Sequence, residues 1–163
     1  MKSLLVIRHA KSSWEWDDIN DFERPLNERG KRDAPLMARR LSVNGALPDL
    51  LVSSPAKRAK RTAVLFSREL GLPEEDILFK TELYHAPVDV FYDVLKKIDD
   101  RFSTVALFSH NPGITTFVNE LTQVKVDHMP TCGLYAVKIQ VEHWADFKDG
   151  KKEFWFFDYP KAQ

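Results

Sequence analysis

Two histidines of this sequence directly follow apolar runs. Arg8 and His9 come after the run 4–7, and His110 comes after the run 105–109. Each run has the length and composition of a buried strand, and ligands of open α/β sheets bind beyond the carboxyl ends of the strands. A histidine nitrogen can attack phosphorus, and an arginine fork matches two phosphate oxygens. The three side chains therefore indicate an anion-binding site with the residue types for phosphoryl transfer.

A third polar segment has the pattern of a helix start. Pro55 suits the first turn of a helix that follows the apolar run 50–53, and Arg58 lies within the first turn or so. The free N–H groups and the dipole of a helix N-terminus attract anions, which makes Arg58 a candidate for a second phosphate fork. Arg61, one turn later, is a weaker candidate. His110 is also followed by a helix start and could stabilise a transition state by donating to a phosphoryl oxygen.

These residues need alternating strands and helices to reach one edge of a sheet. Hydrophobic periodicity and turn signals predict strands at 4–8, 50–53, 77–79, 104–109, 135–141 and 153–157 and helices at 27–41, 55–70, 88–98 and 114–121. The alternation favours an α/β fold of three layers, with a mostly parallel central sheet, helices on both faces and an antiparallel C-terminal hairpin. Right-handed crossovers then bring the carboxyl ends of the relevant strands to one edge.

Two details of this outline are open at the level of sequence. Pro35 either kinks the first helix or marks its start, because proline lacks the N–H of a helix interior. The fifth strand alternates apolar residues with Lys138 and Gln140, which predicts a half-exposed strand in a hairpin at the sheet edge. Lys151 and Lys152 lie near that edge, and charged edges resist pairing with another chain, so a monomer is favoured.

Composition excludes several classes of protein. The 163 residues suit one domain that spans 1–163, and the formal net charge of zero gives no support to nucleic-acid binding. No apolar run approaches the ~20 residues of a membrane span, and no signal-peptide pattern is seen. A single cysteine, Cys132, suits a reducing compartment, so a cytoplasmic location is expected. Residues 1–62 contain 13 Lys and Arg against 8 Asp and Glu, which indicates either a locally positive anion site or chance segregation of surface charge.

Together, these motifs resemble the histidine phosphatase superfamily, which has a phosphoglycerate mutase-like fold, and more narrowly the SixA-type phosphohistidine phosphatases. The stretches that carry the resemblance are Leu5-Val6-Ile7-Arg8-His9-Ala10-Lys11-Ser12, Asp21-Phe22-Glu23-Arg24-Pro25-Leu26-Asn27-Glu28-Arg29-Gly30, the segment 53–63, Glu82-Leu83-Tyr84 and Ser109-His110-Asn111-Pro112-Gly113. The resemblance implies that His9 is the transiently phosphorylated nucleophile. It also implies that Arg8, Arg58 and His110 complete the phosphate pocket.

The chain departs from that family's pattern at two positions. Ala10 stands where many members have a glycine after the Arg-His pair. Many members also carry an asparagine a few residues later that helps to bind phosphate, and this chain has none there. Lys11 or Ser12 is the candidate to replace that contact.

The general acid is the least defined part of the predicted site. An alkoxide leaving group has to be protonated, and Glu82, after the third strand, is the best-placed possible proton donor. Asp17 and Asp18, in the loop after the first strand, are the runners-up, and all three carboxylates could equally be solvated. The SixA-type resemblance implies no dedicated acid, which fits a phosphohistidine substrate because its imidazole leaves readily. Cys132 is expected to be a packed thiol, and His85 is expected to be a surface or loop residue.

The leading hypothesis is a metal- and cofactor-independent phosphatase that forms a phosphohistidine intermediate and acts on phosphohistidine in a protein. The alternative is a phosphatase or mutase that acts on a small-molecule phosphate ester by the same chemistry. A metal-dependent hydrolase is disfavoured, because the histidines lack H-E-x-x-H or Cys/His ligand spacing. A non-catalytic phosphate-binding module would not need a nucleophile. The expected partner is therefore a phosphorylated protein or a small phosphate ester, with no nucleic acid and no membrane.

Overall fold

The computed structural model describes residues 1–15 and 18–162, which form a mixed, six-stranded sheet with helices on both faces. The strands are β1 (Lys2–Arg8), β2 (Leu50–Ser53), β3 (Leu78–Phe79), β4 (Thr104–Ser109), β5 (Leu134–Ile139) and β6 (Lys152–Asp158), and the helices are α1 (Glu28–Val43), α2 (Lys57–Leu70), α3 (Val88–Lys96) and α4 (Gly113–Leu121). The order across the sheet is β3-β2-β4-β1-β5-β6. The first four strands in that order are parallel, and β5 is antiparallel to both of its neighbours. The predicted α/β class is confirmed.

Apolar side chains cover both faces of the sheet, which explains the continuous apolar runs of the central strands. On β1, Leu4 belongs to the core cluster that includes α3 and α4, whereas Leu5 belongs to the cluster that includes α1 and α2. β1 lies in the middle of the sheet, where Leu4 is opposite Val105 of β4 and Val137 of β5. The strand that leads to Arg8 and His9 is therefore held from both sides.

The first helix begins at its predicted cap. The side chain of Asn27 accepts a hydrogen bond from the Gly30 N–H at 2.9 Å, and the helix then continues through Pro35. Pro35 therefore does not mark the start of α1. The second helix begins at Lys57 and ends before Gly71, which has a φ of 72° in the left-handed region that glycine adopts readily. No helix of the described residues is both long enough and apolar enough to cross a bilayer.

The prediction of a half-exposed fifth strand is wrong. β5 lies between β1 and β6, so that β6 and not β5 forms this edge of the sheet, and Tyr135 and Val137 are fully buried. Lys138, whose position in the alternation suggested a solvent-facing side, extends its ammonium group to 4.1 Å from the ring of Trp155 on β6. A long side chain can cover apolar surface in this way while its charge stays near water, and the sequence pattern then looks more polar than the strand's environment.

Candidate active site

The loops after β1, β2 and β4 converge at the carboxyl edge of the sheet and surround a cavity of about 230 Å³. The residues that line it are Arg8, His9, Lys11, Ser12, Trp14, Asp21, Arg24, Arg58, His85, His110, Asn111 and Thr131. The four residues predicted to form the site, which are Arg8, His9, Arg58 and His110, are thus brought together. We call these four the floor, and we call Trp14, Asp21 and His85 the mouth, because the first set is more buried than the second.

The ring of His9 has a defined orientation and tautomer. Its Nδ1 lies 2.8 Å from the carbonyl oxygen of Ala10, which can only accept, so Nδ1 carries the proton and Nε2 is unprotonated. The Nε–H of Arg58 donates to that Nε2 at 3.3 Å. Burial lowers the pKa of His9 well below its usual value, and the nearby His110 and Arg8 lower it further. His9 is therefore neutral at physiological pH, with Nε2 able to act as a nucleophile.

Backbone contacts fix the segment that carries His9. The N–H of Ala10 donates to Oγ1 of Thr62 at 2.9 Å, and the Thr62 hydroxyl donates to the carbonyl of Arg58 at 2.7 Å. On the other side, a Cβ at Gly30 would lie 2.1 Å from the carbonyl oxygen of Lys11, so α1 can approach this loop only because residue 30 is glycine. The loop after β1 is thus held between the first turns of α1 and α2.

His110 is held with one nitrogen free. The Ser54 hydroxyl accepts the N–H of Ala56 at 3.2 Å and lies 2.8 Å from Nε2 of His110. That nitrogen is its one possible acceptor among the hydrogen bonds of the described residues, so we assign the hydroxyl as the donor. The ring proton is then on Nδ1, which is buried and has no hydrogen-bond partner in the described part of the chain. Burial, together with the charge of Arg58, lowers the pKa of His110 to about 3. His110 is therefore a neutral donor rather than a cation.

Two arginines of the cavity also have unused buried donors. Arg8 donates from Nη1 to the carbonyl of Met129 at 3.0 Å, and Arg24 donates from Nη1 to Oγ of Ser12. The Nε–H groups of both are buried and unpartnered within residues 1–15 and 18–162. Buried donors without acceptors are costly, and a ligand with several anionic oxygens would satisfy them. Together with Nδ1 of His110, these donors fit a phosphoryl group.

Asp21, which sequence reasoning assigned no role, is the centre of the mouth. Its Oδ2 accepts from Nη2 of Arg58 at 2.9 Å and from the Tyr84 hydroxyl at 2.6 Å, and its carbonyl accepts from Nη1 of Arg58 at 2.7 Å. Burial alone would raise the pKa of Asp21, but the hydrogen bonds from Tyr84, Arg58 and Arg24 outweigh it and hold the pKa well below the usual range. Asp21 is therefore an anion, and Arg58 bridges it to His9.

His85 is the second unexpected residue of the mouth. It was predicted to be a surface or loop residue, and its side chain is indeed 55% exposed, yet it lines the same cavity as His9. Its Nε2 lies 3.4 Å from Oδ2 of Asp21, and its ring lies 4.0 Å from that of Tyr84 and 6.0 Å from that of His110. Its φ of 54° is in the left-handed region, which non-glycine residues adopt rarely and often at functional sites.

The predicted proton donors lie elsewhere. Glu82 is exposed on a single 3-10 turn (Thr81–Leu83) and does not line the cavity, because Leu83 is the residue of that turn that faces inward and Glu82 faces solvent. Asp18 is also exposed and outside the lining, and Asp17 lies outside the described residues.

The structure also places four further residues that the sequence analysis discussed. Arg61 is exposed and does not line the cavity, whereas Lys11 and Ser12 both do. Cys132 is fully buried, and burial raises the pKa of its thiol far above the usual value, in agreement with a packed thiol. Its N–H donates to the carbonyl of His9 at 3.0 Å. No group of three or more His, Cys, Asp or Glu side chains that could hold a metal ion occurs among the described residues.

Comparison with known sequences identifies the family. The family model of the histidine phosphatase superfamily (branch 1) matches residues 4–85, which is half of the chain and contains Arg8, His9, Asp21, Arg58 and His85. An uncharacterized protein of Mycobacterium tuberculosis is 27% identical over 95% of this chain and 100% of its own length. A 2,3-bisphosphoglycerate-dependent phosphoglycerate mutase of a Methylobacterium strain is 38% identical, but over only 45% of this chain and 37% of its own length.

Comparison with solved structures agrees on the fold. A protein of Agrobacterium tumefaciens, classed with the SixA phosphohistidine phosphatases, superposes with a TM-score of 0.81 at 24% identity over 98% of each chain. The protein histidine phosphatase SixA in complex with tungstate superposes with a TM-score of 0.81 at 22% identity over 97% of each chain. At these identities the likeness establishes the architecture.

Proposed function

Because the chain belongs to the histidine phosphatase superfamily, we propose that it removes phosphoryl groups through a covalent phosphohistidine at His9. The observation that carries this proposal is the state of the His9 ring. Its Nδ1 is tied to the Ala10 carbonyl, its Nε2 is unprotonated, and it lies beside three arginines that line the same cavity. A neutral imidazole with an unprotonated Nε2 in a positively charged cavity is the arrangement that attack on a phosphate requires.

The residues of the floor have separate tasks in this reaction. Nε2 of His9 attacks phosphorus in line, and the bond from phosphorus to the leaving atom breaks. Arg8, Arg58 and Nδ1 of His110 bind the phosphoryl oxygens and stabilise the charge that develops on them. Water then attacks the phosphohistidine, the N–P electron pair returns to Nε2, and inorganic phosphate leaves. The arginines neutralise the charge that a metal ion would otherwise neutralise, so we propose that the reaction needs no metal and continues in the presence of EDTA.

We propose phosphohistidine in a protein as the substrate. The cavity of about 230 Å³ is small and polar, and its rim includes Trp14, which is 73% exposed with Arg24 stacked 3.7 Å from its ring centre. An open cavity with an exposed aromatic rim suits a side chain presented by another protein. Two solved structures that superpose with a TM-score of 0.81 carry the names of phosphohistidine phosphatases, which supports the same substrate class.

A small phosphate ester is the second candidate. One relative, which matches 45% of this chain, is a phosphoglycerate mutase, and another, from Hydrogenobacter thermophilus, matches 50% of this chain and is phosphoserine phosphatase 1. The two candidates differ in the leaving atom, which is nitrogen in one and oxygen in the other. Rates with a phosphohistidine peptide, phosphoserine and a phosphoglycerate therefore decide between them.

Trapping the intermediate tests the reaction itself. Enzyme quenched during turnover of radiolabelled substrate should carry a label on His9 that is labile in acid and stable in alkali. His9→Ala should lose the label and should lower kcat/KM by at least about 10⁴-fold, because the nucleophile is gone. His143→Asn is the control, since His143 lies outside the cavity lining. Label on another residue, or an active His9→Ala variant, would contradict the proposal.

A further inference from the structure

The direction of attack determines where a proton donor must be. His9 is only 4% exposed and attacks from the floor, and in-line displacement places the leaving group on the opposite side of phosphorus. The leaving atom therefore faces the mouth. The residues there are Trp14, Asp21 and His85.

One of these three residues has the chemistry of a proton carrier. Trp14 has no titratable group, and Asp21 is an ionised acceptor that receives hydrogen bonds from Tyr84 and Arg58. The imidazole of His85 is the remaining group, and its two ring nitrogens can donate and accept protons. Its Nε2 lies next to the Asp21 carboxylate at 3.4 Å, which leaves Nδ1 as the nitrogen for proton exchange.

The backbone supports the same assignment. The φ of 54° at His85 is unusual for a residue with a side chain, and such conformations are retained when the surroundings enforce them. A Cβ at Gly113 would lie 2.0 Å from the carbonyl oxygen of Ala86, so the first turn of α4 is packed directly against the residue after His85. The ring of Tyr84 packs 4.0 Å from that of His85. The imidazole is thus held over the cavity and not left free in solution.

We infer that His85, positioned by Asp21, is the general acid and base of this site. This inference rests on the proposed function and adds to it the residue that moves the proton. The step applies to a phosphate ester, the second substrate class considered above. When Nε2 of His9 bonds to phosphorus, the P–O bond breaks and its electron pair goes to oxygen, which takes the proton of the His85 imidazolium and leaves as an alcohol. The neutral His85 then takes a proton from water as the water oxygen attacks phosphorus. The N–P electron pair returns to His9, and phosphate is released.

Leaving groups that differ in their need for a proton test this role. 4-Nitrophenolate is a stable anion and needs no acid, whereas the alkoxide of a phosphoserine peptide does. The parameter kcat/KM covers the steps up to departure of the leaving group and so isolates the first proton transfer. We expect His85→Asn to lower kcat/KM for the phosphoserine peptide by about 100-fold and to change that for 4-nitrophenyl phosphate by less than about threefold. Asp21→Asn should show the same selectivity with a smaller loss, because Asp21 acts through His85.

The variants contain their own controls. Asparagine tolerates a positive φ, so His85→Asn preserves the turn, and retained activity on 4-nitrophenyl phosphate shows that it is folded. His143 also pairs with a carboxylate, that of Asp100 at 2.9 Å, but lies outside the cavity lining. His143→Asn should therefore leave both rates unchanged and is the matched control.

Three results would overturn the inference. His85→Asn could lower both rates equally, it could lower neither, or the wild-type enzyme could hydrolyse the aryl ester and no alkyl ester. Labelled phosphoenzyme separates this failure from failure of the proposed function. Label on His9 in both wild-type enzyme and His85→Asn means that the nucleophile is assigned correctly whatever the leaving-group pattern is. Loss of label from His9 in the wild-type enzyme would refute the proposed function itself.

Discussion

The floor and the mouth of the cavity are built in different ways. Arg8, His9 and His110 follow strands of the central sheet, are held by backbone or Ser54 contacts, and have low exposure. The mouth consists of side chains from two loops, and its residues contact one another and the side chains of Arg24, Arg58 and Tyr84. The floor is thus a property of the sheet, whereas the mouth is a property of the loops that cover its edge.

This difference separates two chemical tasks. The floor holds a neutral nucleophile and unpartnered donors, which are what any phosphoryl group needs. The mouth holds an anion and an exposed imidazole, which act on whatever is attached to the phosphoryl group. Arg58 hydrogen-bonds to both regions, through Nε to His9 and through its two terminal nitrogens to Asp21. We therefore expect substitutions in the floor to affect all substrates and substitutions in the mouth to affect some.

We expect the largest loss of kcat/KM from removal of Arg58, because this side chain contacts both the floor and the mouth. Arg58→Ala removes a phosphate fork and frees Asp21, so kcat/KM should fall by about 10³–10⁵-fold for every substrate, as when a charge-stabilising arginine is lost from other phosphoryl-transfer sites. Arg61→Ala is the matched control, because Arg61 is an exposed residue of the same helix outside the cavity lining. Steady-state rates on two substrates measure the effect. A loss confined to one substrate would assign Arg58 to the mouth alone.

Substitution of His110 tests whether this residue of the floor acts on the phosphoryl group and not on the leaving group. His110→Ala removes the Nδ1 donor, and kcat should fall by about 10²–10³-fold, with the same factor for aryl and alkyl esters. Ser54→Ala leaves the ring in place but removes the contact at 2.8 Å that determines the tautomer, so a smaller loss is expected. Rates of single turnover measure both. If the effect of His110→Ala depended on the leaving group, His110 would share the role that we assign to the mouth.

Two glycines allow the regions to be disturbed separately. An alanine Cβ at Gly30 would collide with the Lys11 carbonyl at 2.1 Å, and one at Gly113 would collide with the Ala86 carbonyl at 2.0 Å. Each change should cost about 1–3 kcal/mol in the free energy of unfolding, since backbone has to move. Gly30→Ala displaces the loop of His9 and should slow all substrates. Gly113→Ala displaces the residue after His85 and should slow alkyl esters most. Denaturant titration and rates on both esters check this, and identical rate patterns would contradict the division.

The pH dependence of stability should come from the floor. The folded-state pKa of His110 is lowered from 6.5 to about 3, so the unfolded chain binds more protons between these values and stability falls as pH falls through that range. From pH 7 to pH 5 the loss from His110 alone is about 2 kcal/mol, and His110→Asn should abolish that part of the slope. Asp21 has a lowered pKa, so its stabilising effect persists above its unfolded value of 3.8. Urea titrations at both pH values measure the difference, and an unchanged slope in His110→Asn would exclude this origin.

The same division explains what could be foreseen from sequence. Residues that directly follow buried strands are placed by the sheet topology, so the positions of Arg8, His9 and His110 could be predicted from apolar runs and crossover rules. The position of Arg58 could also be predicted, because a helix start follows β2 directly. Glu82 was chosen by the same logic, but the direction of a side chain on a single turn depends on which neighbour is buried, here Leu83.

The mouth could not be predicted because its contacts are between loops that are distant in sequence. Asp21 pairs with Arg58, Tyr84 and His85, and no local pattern encodes those distances. A signal was present nonetheless, since Asp21 and Tyr84 both lie in stretches that carry the family resemblance. The fifth strand failed for a related reason. The alternation of polar and apolar residues can be read from the strand alone. Its burial depends on β6, which pairs with β5 on the side opposite β1.

The central place of β1 has a consequence for how the protein is made. Synthesis proceeds from the amino end, so β1 leaves the ribosome before both strands that pair with it, which place Val105 of β4 and Val137 of β5 opposite Leu4. Contacts so distant in sequence form late and slow the folding of a domain. The apolar strand that precedes His9 therefore remains unpaired in the nascent chain until β4 and β5 have been translated. Completion of the sheet and assembly of the cavity are then a single event, and no shorter nascent chain has a finished floor.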